Sequence, residues 1–154
     1  MKYHEKPLTH FFFPTDWQGD SASGEVVAEP LAEARTPIVE RIREGLYFRE
    51  FATLRNLLDL PEETLGHYLG MSNATLHRRK KSRQFSQAES ERLVRFTRLF
   101  GLAYGVFGDE ATAREWLKTE NPGTAGESPL SYADTEFGAR EVENLLGRID
   151  HGIF

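Results

Sequence analysis

The chain has 154 residues, of which 39% are apolar, and its formal net charge is −5. This length allows one ordinary domain or two small ones that share a core. The lack of cysteine excludes disulfides, thiol catalysis and cysteine metal sites, and no stretch approaches the ~18 apolar residues that a membrane span requires. Because residues 1–14 contain no apolar run of signal-peptide length, we expect a cytoplasmic protein that does not contact a membrane.

The charges are segregated along the chain. Residues 1–66 carry a net charge of −5, residues 67–100 carry +6 and residues 101–154 carry −6. A basic block attracts phosphates through counterion release, whereas an acidic end avoids nucleic acid and can meet another protein. The pattern therefore favours two surfaces with different partners, and a basic face that is merely solvated is the alternative.

Residues 1–36 are predicted to be an amino-terminal tail or linker. An aromatic run at residues 10–14 and Trp17 precede a segment rich in glycine and serine at residues 18–24. The aromatic run fits either a flexible tail with one adhesive patch or an arm that contacts a second copy. Order is expected to begin at Thr36 and Pro37, a capping residue followed by a proline suited to the first helical turn.

Beyond Pro37 the apolar residues keep helical spacing. Two apolar stripes follow one another: Ile38, Val39, Ile42 and Leu46, then Phe51, Leu54, Leu57 and Leu58. Gly45 marks the end of the first helix, and residues 59–61 close the second. Because no segment with strand periodicity competes with these patterns, the predicted fold class is all-α.

Residues 65–76 have the spacing of a helix-turn-helix. Gly66 supplies the small residue where the second helix crosses the first, and Gly70 permits the positive φ of the turn. Leu76 fixes the second helix against the first, and Ser72 is its cap. The second helix extends to Lys81, and a helix in this position is the element that enters a DNA major groove.

The exposed side of this second helix carries side chains suited to DNA. Asn73 can pair with adenine and Arg78 with guanine, and the cations beyond them suit phosphates, which position a protein without specifying sequence. The predicted DNA-binding residues are Ser72, Asn73, Thr75, His77, Arg78, Arg79, Lys80, Lys81 and Arg83. Arg79 stands where a buried apolar residue is usual, so either the helix packs differently or the Arg79 stem covers the core while its head reaches out.

A capping box formed by Ser86 and Glu89 predicts the start of a long helix. Its apolar face consists of Leu93, Phe96, Phe100, Ala103 and Phe107. Gly101 and Gly105, one turn apart, indicate either close packing of another helix or a kink. Three arginines are expected to add a basic edge near the second helix of the helix-turn-helix: Arg92, Arg95 and Arg98.

Three more helices are predicted toward the carboxyl terminus. Asp109 caps the first, residues 128–129 begin a short one, and Thr135 begins the last. The last helix has an apolar stripe of Val142, Leu145, Leu146 and Ile149. The chain then ends on Ile153 and Phe154, which either enter a pocket on a partner together with the terminal carboxylate or fold back onto the protein's own core.

Catalytic patterns are missing from the sequence. The five histidines form no metal-binding pair, and the sequence has neither a phosphate-binding loop nor a nucleophile elbow. We therefore expect a protein that is not an enzyme and that needs no metal or cofactor.

A set of specific motifs runs through the carboxyl-terminal third: residues 106–109, Ala113, residues 116–117, 121–122 and 128–130, Gly138, Val142 and residues 146–152. With the more widely shared helix-turn-helix of residues 65–79, these motifs resemble the Xre-type antitoxins of bacterial RES–Xre toxin–antitoxin modules, relatives of the MbcA and ParS antitoxins. The resemblance covers residues 36–154. One departure is the segment 124–126, Thr-Ala-Gly, which replaces the family's leucine and paired glycines.

The resemblance implies a helix-turn-helix DNA-binding and dimerisation region at residues 37–100, after the tail at 1–36, and a toxin-binding domain at residues 101–154. It implies that the partner is a RES-domain toxin that degrades NAD and whose active site the antitoxin obstructs. It further implies a homodimer that binds the double-stranded promoter DNA of its own operon as an autorepressor. The implied toxin contacts are Arg148, Asp150, His151, Gly152, Ile153 and Phe154.

Three hypotheses about function stay open. The protein is an antitoxin that also represses its operon, a stand-alone helix-turn-helix regulator without a toxin partner, or a protein inhibitor whose helix pair no longer binds DNA. The charge distribution favours the first hypothesis, because an acidic surface complements a toxin site that binds anionic NAD.

Overall fold

The computed structural model describes residues 7–13 and 31–152, with the backbone alone for residues 31–36. These residues form helices and an isolated antiparallel bridge between Tyr47 and Gln84, so the predicted all-α fold class is confirmed. In chain order the helices are α1 (Thr9–Phe12), α2 (Leu31–Glu44), α3 (Phe48–Leu58), α4 (Glu62–Tyr68), α5 (Asn73–Ser82), α6 (Gln87–Phe107), α7 (Glu110–Lys118), α8 (Pro129–Tyr132) and α9 (Glu136–Asp150), with a 3₁₀ turn at Pro122–Thr124. None of the helices in this part of the chain is long and apolar enough to cross a membrane.

The core is built around α6. Phe96, Leu99 and Phe100 on this helix are fully shielded from solvent. Helices α1, α2 and α3 pack against α6, and so do α7 and α9, so that one continuous apolar cluster includes residues from both ends of the described chain. The boundary predicted between residues 100 and 101 falls inside α6. Helices of both predicted regions pack on this one helix.

Capping side chains begin three of the helices where the sequence predicted them. Ser86 Oγ accepts the Glu89 N–H at 3.2 Å at the start of α6, and the capping box is complete. Asp109 caps α7 and Thr135 caps α9 in the same way, at 2.8 and 3.0 Å. Each cap satisfies a backbone N–H that has no partner inside the helix, so the predicted starts of α6, α7 and α9 are confirmed.

The loop at residues 121–127, which contains the segment where the resemblance breaks, is held by hydrogen bonds within itself. The side chain of Asn121 accepts the Gly123 N–H at 2.8 Å. Thr124 is buried, and its hydroxyl donates to the Glu127 carbonyl oxygen at 2.6 Å. The buried hydroxyl of Thr124 is therefore satisfied within the loop.

The predicted start of order at Thr36 and Pro37 is wrong, because α2 begins at Leu31 and Pro37 lies inside it. A proline in a helix interior lacks the N–H that would donate to the carbonyl four residues earlier, and for this reason proline commonly marks a helix start. Here α2 continues on the amino-terminal side of Pro37, although the proline cannot donate this backbone hydrogen bond. Its end is as predicted, since Gly45 follows with φ +95°.

Residues 7–13 pack onto the core, so the flexible-tail interpretation is wrong for this segment. Leu8 is 1% exposed and Phe11 is 8% exposed. The other interpretation, an arm toward a second copy, stays a prediction. The remainder of the predicted tail up to α2, including Trp17 and the predicted linker, lies outside the described residues.

A buried carboxylate, that of Glu50 in α3, holds this amino-terminal segment. Its Oε2 accepts the Leu8 N–H at 3.0 Å, and its Oε1 lies 3.1 Å from Nη2 of Arg41 in α2. The side chains of Arg41 and Glu50 are 3% and 2% exposed. Burial lowers the pKa of Arg41, and the ion pair with Glu50 acts against that shift. Because an unpaired buried charge is strongly unfavourable, the ion pair and the bound segment stabilise each other.

Gly101 marks a close approach between the amino-terminal segment and α6. A Cβ at position 101 would overlap the carbonyl oxygen of Phe12, and the neighbouring rings of Phe13 and Phe100 stack with centroids 5.6 Å apart. Close packing, one of the two predicted explanations for this glycine, is therefore confirmed with α1 as the neighbour. Gly105, the second glycine of the pair, is exposed.

Replacing Gly101 with alanine tests this packing. We expect Gly101→Ala to destabilise the protein by about 1–3 kcal/mol, because the added methyl group must displace the backbone of α1. Gly147→Ala is the matched control: apart from its chain neighbours and its own helix backbone, no atom lies within 4 Å of the added Cβ. Helix propensity therefore predicts a gain of about 0.5–1 kcal/mol. Urea titration gives both free energies of unfolding, and equal effects of the two substitutions would contradict the close contact.

Candidate functional site

Helices α4 and α5 form the predicted helix-turn-helix. Gly70 in the turn between them has φ +72°, as expected. A Cβ at Gly66 would lie 3.0 Å from Cδ2 of Leu76, so a larger residue there would press on the side chain that holds α5. Arg92 of α6 supports the turn, since its Nη1 donates to the Leu69 carbonyl oxygen at 3.2 Å.

The start of α5 is capped by Ser72, as predicted. Ser72 Oγ accepts the Thr75 N–H at 3.1 Å and donates to Thr75 Oγ1 at 3.0 Å. Among the predicted DNA-binding residues, Thr75 and Arg79 are half-buried. The others are exposed: Ser72, Asn73, His77, Arg78, Lys80, Lys81 and Arg83.

Acidic partners divide the predicted DNA-binding cations into two groups. Arg79 Nε donates to both carboxylate oxygens of Glu89, at 3.1 and 2.8 Å, and Lys80 Nζ lies 3.2 Å from Oε2 of Glu62 in α4. Within residues 7–13 and 31–152, no acidic group pairs with the remaining cations, which are Arg78, Lys81 and Arg83. These three side chains are therefore available to phosphates or base edges.

Glu89 has two roles, of which the sequence predicted one. It completes the capping box of α6 through the Ser86 N–H, which donates to its Oε2 at 2.8 Å, and it also binds Arg79. Burial raises the pKa of Glu89, but the hydrogen bonds from Arg79 and Ser86 outweigh this effect and hold the pKa below its usual value. The second role could have been suspected from Arg79, which stands where a buried apolar residue is usual and therefore needs a partner inside the fold.

The predicted basic edge of α6 is wrong for Arg95 and Arg98, because acids of α9 neutralise both. Arg95 Nε and Arg98 Nη2 contact the carboxylate of Glu136 at 3.1 and 3.2 Å, and Arg98 Nε lies 2.7 Å from Oε1 of Glu143. Burial raises the pKa of Glu136, but the two arginines outweigh it and hold the pKa below its usual value. Opposite charges of the basic and acidic regions therefore meet partly inside the fold.

Four of the predicted toxin contacts lie exposed at the end of α9: Arg148, Asp150, His151 and Gly152. The other two, Ile153 and Phe154, lie outside the described residues. Phe137, near the start of α9, is 76% exposed and was not among the predicted site residues. Its exposure could have been predicted from its position, because Phe137 lies off the apolar stripe that the buried Val142 and Leu146 define.

The fold and the site together define a class of protein. The chain is a helix-turn-helix protein whose second helix exposes cations and whose carboxyl-terminal helices pack on the same core. The second helix of such a pair typically enters a DNA major groove. In the part of the chain that the structure describes, no group of three or more His, Asp or Glu side chains is arranged to hold a metal ion.

Comparison with known families gives a more particular assignment. Residues 37–98 match the antitoxin Xre-like helix-turn-helix domain, and residues 102–152 match the antitoxin Xre/MbcA/ParS C-terminal toxin-binding domain. The chain therefore belongs to the Xre/MbcA/ParS antitoxin family, as the resemblance implied. A helix-turn-helix domain and a toxin-binding domain imply DNA and a toxin as its partners.

Similar proteins include three that are named antitoxin Xre. The protein from Yersinia enterocolitica is 33% identical over 125 residues, which cover 80% of this chain and 84% of the relative. The protein from Photorhabdus laumondii is 44% identical over 71 residues, or 46% of this chain and 48% of the relative. The protein from Pseudomonas putida is 33% identical over 64 residues, or 42% and 40%. These matches favour the antitoxin hypothesis over a stand-alone regulator.

The lowered pKa of Glu89 predicts a pH dependence of stability. A carboxylate whose folded-state pKa is depressed stabilises the protein above its unfolded pKa, and this contribution is lost as the pH falls through the folded pKa. We therefore expect the wild type to lose more unfolding free energy than Glu89→Gln between about pH 6 and about pH 3. Glu91→Gln, an exposed glutamate of the same helix, is expected to behave as the wild type, and identical pH profiles for all three proteins would contradict the prediction.

Proposed function

We propose that this antitoxin inhibits a RES-domain toxin that degrades NAD, and that it represses its own operon by binding the promoter. The observation that carries the proposal is the presence of two separate exposed surfaces on one core. Helix α5 and the residue after it present the exposed cations Arg78, Lys81 and Arg83, which have no acidic partner among the described residues. The end of α9 presents residues 148–152. A protein inhibitor without DNA binding would leave the exposed cations of α5 unexplained.

The toxin-binding part of the proposal is supported by charge. Residues 101–154 carry a net charge of −6, and a toxin site for anionic NAD is expected to be electropositive, so the two surfaces are complementary. We expect the toxin to be contacted by Arg148, Asp150, His151, Gly152, Ile153 and Phe154, and its active site to be obstructed by this end of the chain. The exposed Phe137 suits the same interface, because aromatic anchors carry much of the binding energy at protein interfaces.

The DNA-binding part of the proposal is supported by the exposed side of α5. We expect Asn73 and Arg78 to contact base edges, and Lys81 and Arg83 to contact phosphates. Two copies on two half-sites are the usual arrangement for a helix-turn-helix repressor, so a homodimer is part of the proposal. NAD and promoter DNA are both found in the cytoplasm, where we expect the protein to act.

Removing the end of α9 tests the toxin contacts. In cells that express a cognate RES-domain toxin, we expect the full chain to preserve growth and the NAD level. A chain that ends at Gly147 is expected to lose this protection, because it lacks all six proposed contacts. Arg140→Ala, an exposed arginine on the same helix, is the matched control and is expected to protect fully.

The NAD level, measured in cell extracts after toxin induction, distinguishes the outcomes. Full protection by the shortened chain would contradict the proposed contacts. Lack of protection by the full chain would contradict the choice of toxin. A melting curve of the purified shortened chain establishes that it is folded.

Alanine substitutions on α5 test the DNA contacts. We expect Arg78→Ala to reduce the preference for promoter over random duplex by about 1–3 kcal/mol, because a guanine contact is lost. Lys81→Ala is expected to weaken binding to both duplexes equally and to lower the salt slope by ~1, because a phosphate contact is lost. Dissociation constants across a salt series check both effects, and an equal loss on both duplexes for Arg78→Ala would make Arg78 a phosphate contact.

A further inference from the structure

Arg79 differs from the other cations of α5 because its partner is shielded from solvent. The side chains of Arg79 and Glu89 are 25% and 10% exposed, and Nε donates to both carboxylate oxygens. The same carboxylate accepts the Ser86 N–H at 2.8 Å, so it serves α5 and the start of α6 at once. Lys80 and Glu62, by contrast, are 56% and 31% exposed, and such an open pair is screened by salt and exchanges readily with other anions.

Moving Arg79 from Glu89 to a DNA phosphate is unfavourable. The Glu89 carboxylate would keep the Ser86 N–H but would lose its charged partner in a partly buried place, and removing one member of a shielded ion pair is strongly destabilising. Helix geometry gives a second argument, because at about 100° per residue Lys81 lies on the face of α5 opposite Arg79. Arg79 therefore faces the protein, and Lys81 faces solvent.

The pair also supplies a constraint that the apolar packing of α5 lacks. Within this helix, all of whose residues are described, Leu76 is the one buried side chain. One buried apolar side chain leaves rotation about the helix axis weakly specified. Arg79 follows three residues later on the same side of the helix, so its bond to α6 adds a second fixed point there. The loop after α5 is held at its backbone, where Phe48 N donates to the Arg83 carbonyl oxygen at 2.8 Å, and this contact fixes the end of the helix.

We propose that Arg79 is a positioning residue: its pair with Glu89 fixes the rotation of α5 and thereby sets which side chains, Asn73 and Arg78 among them, face the DNA bases. This inference rests on the proposed DNA binding, and it removes Arg79 from the expected phosphate contacts. Base contacts depend on helix orientation more sharply than phosphate contacts do. Loss of the pair therefore lowers the preference for the promoter more than it lowers general affinity for DNA.

A double-mutant cycle on the full chain tests the inference. Arg79→Gln removes the cation, and Glu89→Gln removes the anion while keeping a residue that also serves in a capping box. We expect each single variant to lower the preference for promoter over random duplex about tenfold, and the double variant to lower it no further, because the two residues act as one unit. The salt slope is expected to stay that of the wild type. Fluorescence anisotropy with the promoter fragment and a shuffled duplex provides these values.

A phosphate contact by Arg79 predicts a different pattern. Arg79→Gln then weakens binding to both duplexes equally and lowers the salt slope by ~1, whereas Glu89→Gln releases Arg79, removes a negative charge and strengthens binding. That pattern overturns the proposal. Lys81→Gln, on the opposite face of α5, is the matched control and is expected to behave as a phosphate contact. Arg79→Lys replaces Arg79→Gln if the latter does not fold, since lysine keeps the charge but lacks the Nε donor.

Hydrogen exchange of the free protein separates this inference from the proposed repression. If the wild type shows no preference for the promoter, the proposed repression fails. Faster amide exchange across α5 in both single variants, with α9 unchanged, then still supports the role of the pair in holding the helix. Unchanged exchange of α5 in both variants overturns that role.

Discussion

The structure depends on α6, because helices of the helix-turn-helix domain and of the toxin-binding domain both pack on it. Phe96 and Phe100 are fully buried on it, and α1, α2, α3, α7 and α9 all contact it. Its polar residues connect the same two parts. Arg92 donates to the carbonyl oxygen in the turn before α5, and Arg98 binds Glu143 on α9. The two ligand surfaces are therefore carried by one core, and a single helix contacts the elements that support each of them.

A buried charge extends this core beyond the matched helix-turn-helix domain. The carboxylate of Glu50 is 2% exposed, and a charge in such a place is tolerated only when hydrogen-bond donors surround it. Arg41 supplies one donor from within the domain, and the backbone N–H of Leu8 supplies another. The family match begins at residue 37, so in this chain α3 uses a hydrogen bond from outside the matched range. The amino-terminal segment is thus part of the folded unit that presents α5.

The sequence predicted what local contacts determine and missed what distant contacts determine. The caps at Ser86, Asp109 and Thr135 bind the backbone N–H three residues later, so spacing alone indicates them. The burial of residues 7–13 depends on contacts with α3 and α6, and no local sequence pattern predicts these contacts. Gly101 was predicted in part. A glycine inside a helix indicates that another segment packs closely, but the sequence does not identify that segment. The ion pairs of Arg95 and Arg98 were not predicted for the same reason, since their partners lie about forty residues away in α9.

Net charge overestimates the cations that remain free to bind DNA. Most of the basic residues between 67 and 100 bind other groups of the protein: Arg79, Lys80, Arg92, Arg95 and Arg98. In the described part of the chain this leaves Arg78, Lys81 and Arg83 without an acidic partner. Each neutralised phosphate contributes its own share of counterion release. With so few free cations in this region, one chain is expected to have modest affinity for DNA. Two linked copies on adjacent half-sites double the contacts, and the second copy binds at a high effective concentration. The small number of free cations between residues 67 and 100 is therefore a physical argument for the proposed homodimer.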